Sequence, residues 1–351
     1  MPVKIHQEGL REEVFVPRRG LRGGHMQTLA AYFASRADHL PPAEERLFSV
    51  DLEVQVMCHC HWQTERKSRT TLMIVHGLEG SSTSQYVIGT ANKAWAAGMN
   101  VVRMNMRNCG GTESLSATLY HSGLSADAGA VARALIEQEQ LESIALAGFS
   151  MGGNIVLKIA GEWGTGAPNQ VRAVVAVSPA IDLSASADAL HRWDNRLYEW
   201  WFLIALAGRM RRKAELFPER FRAYPLASIR SIRDFDDRIT ARYFGFDGAE
   251  DYYKRASAGP VLEQIVVPTQ VIHALDDPFI RMLPATREKL QQNANVRLLE
   301  SAHGGHCAFL ADANGYDGRW SERQIVRFVE SCETNVSTRG PVAQSDRASD
   351  F

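Results

Sequence analysis

An apolar run at residues 144–147 leads into Gly148-Phe149-Ser150-Met151-Gly152, and residues 155–160 continue as an apolar helix-forming stretch. Gly-x-Ser-x-Gly between a strand and a helix is the pattern of a sharp turn that presents a serine hydroxyl as a nucleophile. The glycines have a steric role: Gly148 and Gly152 let strand and helix approach without Cβ atoms between them, while Ser150 is held in a strained backbone conformation. A purely structural turn is the competing reading, and the flanking strand and helix argue against it.

A serine hydroxyl attacks poorly at neutral pH unless a base takes its proton, and the base needs a carboxylate to orient it. On turns of this kind the chain order is Ser, then acid, then His. After the β-rich run 269–274 come Leu275-Asp276-Asp277-Pro278-Phe279, which place a carboxylate in the loop at a strand's C-terminal end, where functional groups gather in doubly wound sheets. Asp277, just before the proline turn, is the preferred acid; Asp276 is read as bonding backbone groups within that turn. After the run 296–299 comes Ser301-Ala302-His303-Gly304-Gly305-His306-Cys307. His306 is the preferred base, because it follows a flexible glycine pair and precedes an apolar anchor at 307–310. His303 is read as loop structure or a wall of the pocket.

The tetrahedral intermediate of acyl transfer needs backbone N–H donors aimed at its oxyanion. Met151 supplies one, and His76-Gly77-Leu78-Glu79-Gly80-Ser81-Ser82, at the end of the run 71–75, supplies the other from Leu78. His76 is given a loop-shaping role. Met57-Cys58-His59-Cys60-His61 looks like a metal motif, but on a strand the two cysteines face one way and the two histidines the other, too few ligands per face for zinc. Gly110-Gly111 is a turn rather than a phosphate loop. Cys109 and Cys307 are placed near the pocket without a nucleophilic duty.

These residues need a scaffold. Short β-rich runs at 71–75, 101–106, 144–147, 173–177, 269–274 and 296–299, each followed by a helical stretch, predict an α/β fold with a mostly parallel, doubly wound sheet. Residues 86–97 read as a crossover helix, and 52–62 as an antiparallel edge strand. Residues 181–259 break the rhythm and read as an inserted helical cap. The domain plan is therefore 1–180 and 260–333 for the core, 181–259 for the cap, and 334–351 for a disordered tail. The cap's aromatic cluster (Trp193, Trp200, Trp201, Phe202) is read as packing on the core in preference to touching substrate. Arg209, Arg211, Arg212 and Lys213 are read as a solvated face beside a buried aromatic one; peripheral contact with an anionic membrane is the competing reading.

Composition excludes other classes. The 351 residues carry 39 Lys+Arg against 40 Asp+Glu, a net charge of −1, without the basic excess of a nucleic-acid binder. Five cysteines are an odd set that reads as free thiols in a reducing compartment, hence a cytoplasmic location. No secretory leader is read at the N-terminus. The apolar run 200–208 falls short of the roughly 20 residues that cross a bilayer.

Taken with Gly24-His25-Met26-Gln27-Thr28, Asn105-Met106-Arg107-Asn108-Cys109-Gly110-Gly111 and His121-Ser122-Gly123, the motifs above resemble the YheT-like subfamily of α/β-hydrolases, over roughly residues 22–310. The resemblance implies a serine esterase or lipase using Ser150, Asp277 and His306 without cofactor or metal, on carboxylic esters of short to medium acyl chains or on acylglycerols. Asn108 is a departure, since relatives tend to carry glycine there. The Gly24-to-Thr28 box has no role that the residues themselves reveal. Acyl transfer to an alcohol and a non-catalytic binding scaffold are the alternative functions; oligomeric state is not legible.

Overall fold

The computed structural model describes residues 13–221 and 228–337, without the side chains of 334–337. Eight strands form one sheet in the order β1-β2-β4-β3-β5-β6-β7-β8. β3 (Thr71–Val75), β4 (Asn100–Met104), β5 (Ile144–Phe149), β6 (Val171–Val177), β7 (Thr269–Ala274) and β8 (Val296–Ser301) are parallel; β1 (Glu44–Asp51) and β2 (Val54–His61) run antiparallel at one side. The parallel strands β3 to β7 are buried except at Arg172, and most of their positions are apolar, as helices covering both faces demand.

The strand expected at 52–62 is present as β2 and belongs to an antiparallel edge, as expected, but it is not the outermost strand. That place belongs to β1, whose sequence Glu-Glu-Arg-Leu-Phe-Ser-Val-Asp buries only Phe48. A charged outermost strand protects an unpaired backbone edge from pairing with another chain, and the same charges erase its hydrophobic signal.

One face of the sheet is covered by α2 (Gln85–Ala96) and α11 (Trp320–Ser337), the other by α3 (Ser125–Glu139), α4 (Met151–Trp163) and α10 (Pro284–Gln292). Ahead of the sheet lies α1 (Gly24–Phe33). Between β6 and β7 no strand occurs among the described residues: α5 (Leu183–Leu190) and α6 (Arg196–Leu216) precede α7 (Ile232–Phe235), which passes through a π-helical turn (Asp236–Thr240) into α8 (Ala241–Phe244), and α9 (Ala249–Ala256) follows. These helices share an apolar cluster of their own, including Leu206, Met210, Phe221, Ile239 and Tyr252, which also takes in Phe279 and Ile280. α11 continues to Ser337, past the residue where a tail was expected; 338–351 and the N-terminal segment 1–12 lie outside the described residues.

α6 reverses part of one expectation: Arg211 and Arg212 are exposed as the solvated face was read, but the rest is turned around. Its aromatic residues Trp200 and Trp201 are each 56% exposed, whereas Arg209 and Lys213 are 6% and 0% exposed. The cations turn inward because the core offers them carboxylate and carbonyl partners, which bury a charge at lower cost than bare apolar surface would.

Parallel register aligns the strand ends. Val75 lies beside Gly148, Phe149 beside Val177, Val177 beside Ile272 and Ala274 beside Ser301, so the loops after β3, β5, β6, β7 and β8 emerge along one edge. The loop after β4 is tied down by a buried pair: Arg107 Nε and Nη2 each donate to the Asp127 carboxylate at 2.6 Å, with both residues under 5% exposed. Replacing one member strands the other charge, so Arg107→Met is expected to cost about 3–5 kcal/mol of unfolding free energy by urea denaturation, far more than a surface change such as Arg255→Met.

Candidate active site

Ser150 lies between the end of β5 and the start of α4 with φ 54° and ψ −116°, a region that L residues occupy only under constraint. The crowding around it explains the glycines. A Cβ on Gly148 would fall 2.1 Å from the Gly152 carbonyl oxygen, and one on Gly152 would fall 2.3 Å from that of Val75. The Ser150 N–H donates to the Val177 carbonyl at 2.9 Å. Its hydroxyl has no protein hydrogen-bond partner among the described residues and lines a cleft.

The loop after β8 is fastened to the same strand end. The Cys307 N–H donates to the Ser178 hydroxyl at 3.1 Å, and the Cys307 thiol points at the Val177 carbonyl that receives Ser150. Next to it, His306 Nδ1 and Asp277 Oδ2 are 2.9 Å apart. Asp277 is 1% exposed, and its other oxygen accepts the Phe279 and Ile280 N–H groups at 3.1 and 2.9 Å. Asp276 instead accepts the Gly305 N–H at 2.9 Å and stands 3.3 Å from His303 Nδ1, so it and His303 shape the loop. His306 Nε2, the nitrogen free of Asp277, has the Cys307 thiol at 3.7 Å; the Phe279 ring covers the imidazole at 4.3 Å.

Burial disfavours charge on His306, but Cys307 and the Asp277 carboxylate outweigh it and raise the imidazole above its ordinary value. Burial likewise pushes Asp277 upward, and His306 with the Ile280 N–H outweighs that, holding the carboxyl below the usual range. The pair therefore favours imidazolium beside carboxylate, the charge state that forms when His306 takes a proton.

The Gly24-to-Thr28 box, silent in the sequence, holds this loop from below. Thr28 Oγ1 accepts the His306 N–H at 2.9 Å and donates to the Gly24 carbonyl at 2.7 Å. Gln27, fully buried, donates to the Leu21 and Leu310 carbonyls at 2.6 and 3.0 Å and accepts the Leu310 N–H at 2.7 Å. Gly24 is packed so closely that a Cβ there would sit 1.8 Å from the Asp276 carbonyl oxygen. Only contacts about 280 residues away in the chain reveal this role, and no periodicity encodes them.

On the other side of Ser150, the loop after β3 carries Leu78. Its neighbours are engaged, Gly77 N–H with the Tyr86 hydroxyl at 2.9 Å and Glu79 N–H with the Tyr120 hydroxyl at 3.0 Å. The Leu78 and Met151 N–H groups have no partner among the described residues, and both residues line the same cleft as Ser150. His76, 0% exposed, bonds the Gly77 carbonyl at 2.8 Å through Nδ1 and accepts the Met106 N–H at 3.1 Å. Burial lowers it to about 4, so it stays neutral and ties two strand ends together.

α6 locks this loop from above. Arg209 donates from Nε and Nη2 to the two oxygens of Glu79 at 2.9 and 3.0 Å and also reaches the Asn108 carbonyl. Lys213 donates to Asn108 Oδ1 and the Glu113 carbonyl, each at 2.9 Å, and to the Ser116 carbonyl. Burial lowers Lys213 to about 8. Asn108 has φ 64°, a left-handed conformation that asparagine tolerates, so its departure from glycine keeps the turn and adds an acceptor for Lys213.

The cleft measures about 750 Å³, part of it open solvent, and is walled by Leu78, Leu183, Phe202, Leu206, Phe235 and Phe279. Of the cap aromatics named above, Phe202 faces it; Trp193, Trp200 and Trp201 do not. Its polar spot is Asp236 in the π-helical turn, which accepts the Thr240 and Tyr253 hydroxyls at 2.8 Å each and is pushed by burial to about 6. On β2, His59 faces Glu45 while His61 bonds the Pro41 carbonyl and Arg103. Cys109 is buried, and burial pushes its thiol to about 12.

A family model described as the alpha/beta hydrolase fold matches residues 70–313. The Escherichia coli (strain K12) protein YheT, named as a presumed esterase, is 33% identical over 90% of this chain and 92% of its own. Phospholipase ABHD3 of Mus musculus is 27% identical over 77% of this chain and 66% of its own, so the chain spans about two thirds of that relative. A monoacylglycerol lipase of Saccharomyces cerevisiae is 26% identical over 78% of this chain and 62% of its own. Among solved structures, the Pyrococcus furiosus esterase Pf2001 superposes with a TM-score of 0.53 at 15% identity, over 82% of this chain and 92% of its own, a likeness of fold alone. The fold, the matched model and the extent of identity place the chain in the alpha/beta hydrolase family, in the group of YheT.

Proposed function

We propose that this hydrolase cleaves carboxylic esters through Ser150, His306 and Asp277. The observation that carries the reading is the 2.9 Å contact of His306 with a buried Asp277, on a loop pinned to the same Val177 carbonyl as a strained Ser150 at an apolar cleft. His306 Nε2 takes the hydroxyl proton as Ser150 Oγ attacks the ester carbonyl carbon. The resting hydroxyl must turn toward Nε2 for this, as catalytic hydrogen bonds commonly tighten only when substrate binds. The carbonyl oxygen becomes an oxyanion and meets the unengaged N–H groups of Leu78 and Met151. His306 passes its proton to the departing alcohol, leaving an acyl-enzyme. Water, deprotonated by the same imidazole, then releases the acid and frees Ser150.

No step needs a metal or an organic cofactor. The apolar walls suit a short to medium acyl chain or an acylglycerol, in keeping with relatives named for esterase and monoacylglycerol lipase activity. The core at 1–180 and 260–333 supplies the catalytic groups, and the cap at 181–259 the cleft's outer wall. No described helix is long and apolar enough to cross a membrane. The five unpaired thiols support a reducing, cytoplasmic setting.

With a series of p-nitrophenyl esters, Ser150→Ala is expected to lose about 10⁴-fold or more in kcat; activity retained by that variant would remove Ser150 from the mechanism. His306 works only when neutral, so the rate rises with pH through its raised pKa and is lost below it. Asp277→Asn removes a charge that raises that pKa, so the acid limb of kcat/KM should move to lower pH while the rate falls about 10⁴-fold. Thr28 acts through His306, as a positioning residue. Thr28→Val should lower kcat about tenfold or more with KM nearly unchanged, and Thr28→Ser should restore it.

A further inference from the structure

A helix that is apolar on every side normally lies inside a protein or a membrane. The first three turns of α6 break that rule. Tyr198, Phe202 and Leu206 face the protein, where Tyr198 packs on Phe279 with ring centroids 5.3 Å apart and the other two wall the cleft. On the opposite side, Leu197, Trp200, Trp201 and Ile204 are 58%, 56%, 56% and 49% exposed. Their i, i+3, i+4, i+7 spacing makes one continuous stripe. Trp193, 84% exposed, extends it at the N-terminal end. Near the start of α6, the His25 ring of α1 stacks on Tyr198 at 5.7 Å on the protein-facing side. Single exposed apolar side chains are ordinary; a continuous stripe of tryptophans and large aliphatic residues on successive turns marks a surface that something covers.

Charge says what covers it. Exposed Arg192 and Arg196 precede the stripe, and exposed Arg211 and Arg212 follow it about two turns on. Arg192 shares its charge with Asp194 and Arg212 with Glu113, while Arg196 and Arg211 have no ion-pair partner among the described residues. Glu215 is the exposed acid at the far end. Cations at both ends oppose pairing with a second copy, since either orientation of two such helices sets arginine against arginine. The same arrangement suits a lipid surface, with tryptophan at the level of the headgroups and arginine reaching anionic phosphates.

We infer that the exposed stripe of α6 is a docking surface for an anionic lipid bilayer, on which the protein rests with α6 in the interfacial plane. Docking there sets the cleft on the other side of the same helix, about 10 Å from the interface. The surface is independent of the ester reading, because it uses none of Ser150, His306 or Asp277.

Flotation of the full chain with vesicles tests this. Wild type and Ser150→Ala are both expected to float with vesicles of equal parts phosphatidylcholine and phosphatidylglycerol, to float less with phosphatidylcholine alone, and to show a blue shift of tryptophan emission on binding. Trp200→Gln/Trp201→Gln should weaken partitioning about tenfold or more, while hydrolysis of a water-soluble acetate ester stays unchanged. Arg196→Gln/Arg211→Gln should remove most of the dependence on anionic lipid and on salt. Three results would overturn the inference: wild type that stays with the unbound fraction, a tryptophan double variant that floats as well as wild type, or a wild-type dimer by sedimentation velocity that the double variant abolishes in the absence of vesicle binding.

Discussion

The arrangement of this molecule depends on a close backbone approach. Strand β5 meets helix α4 with Gly148 against Gly152 and Gly152 against the end of β3, distances that leave no room for a methyl group. That contact forces Ser150 into a positive φ and lifts its hydroxyl out of the sheet edge. A side chain at either glycine would push helix and strand apart, move the Met151 N–H with the helix, and separate Ser150 from the loops that meet it. The strain is offset elsewhere: β5 is central in the sheet and wholly buried, and the first two turns of α4 are packed on all sides.

Around that fixed point, two separate pieces of chain are held in place by polar contacts within an apolar frame. The loop with His306 is gripped by Asp276, Ser178 and Thr28; the loop with Leu78 by Tyr86, Tyr120 and, through Glu79, by Arg209. Both grips involve residues remote in sequence, α1 for the first and α6 for the second. The helix over the cleft is therefore no loose cover: buried Arg209 and Lys213 couple its position to the loop after β3 and to the turn at Asn108. Such coupling fits a site in which sub-ångström placement decides rate.

Much of this was readable from residues alone, and the limits have physical causes. Strands β3 and β7 are short β-rich runs bounded by turn residues, and the expected bounds coincide with the observed ones. β1 escaped because an outermost strand carries charge where an inner one carries valine. Ser150, Asp277 and His306 stood out because strand-end loops have strong local signatures; Gln27, Thr28 and Arg209 did not, because their partners are set by tertiary folding. α6 is the instructive failure. Its apolar and basic residues were visible, but on a helix with two apolar faces, periodicity does not say which faces inward, and the cations were drawn to carboxylates and carbonyls that only the folded core provides.

The most direct test of the central claim is the mass of the covalent intermediate. Wild-type protein mixed with excess p-nitrophenyl butyrate and acid-quenched during turnover should carry one butyryl group, and peptide mapping should place it on Ser150. The account would be contradicted by an unmodified protein despite turnover, or by an acyl group carried on Cys307, the thiol that stands beside the same imidazole.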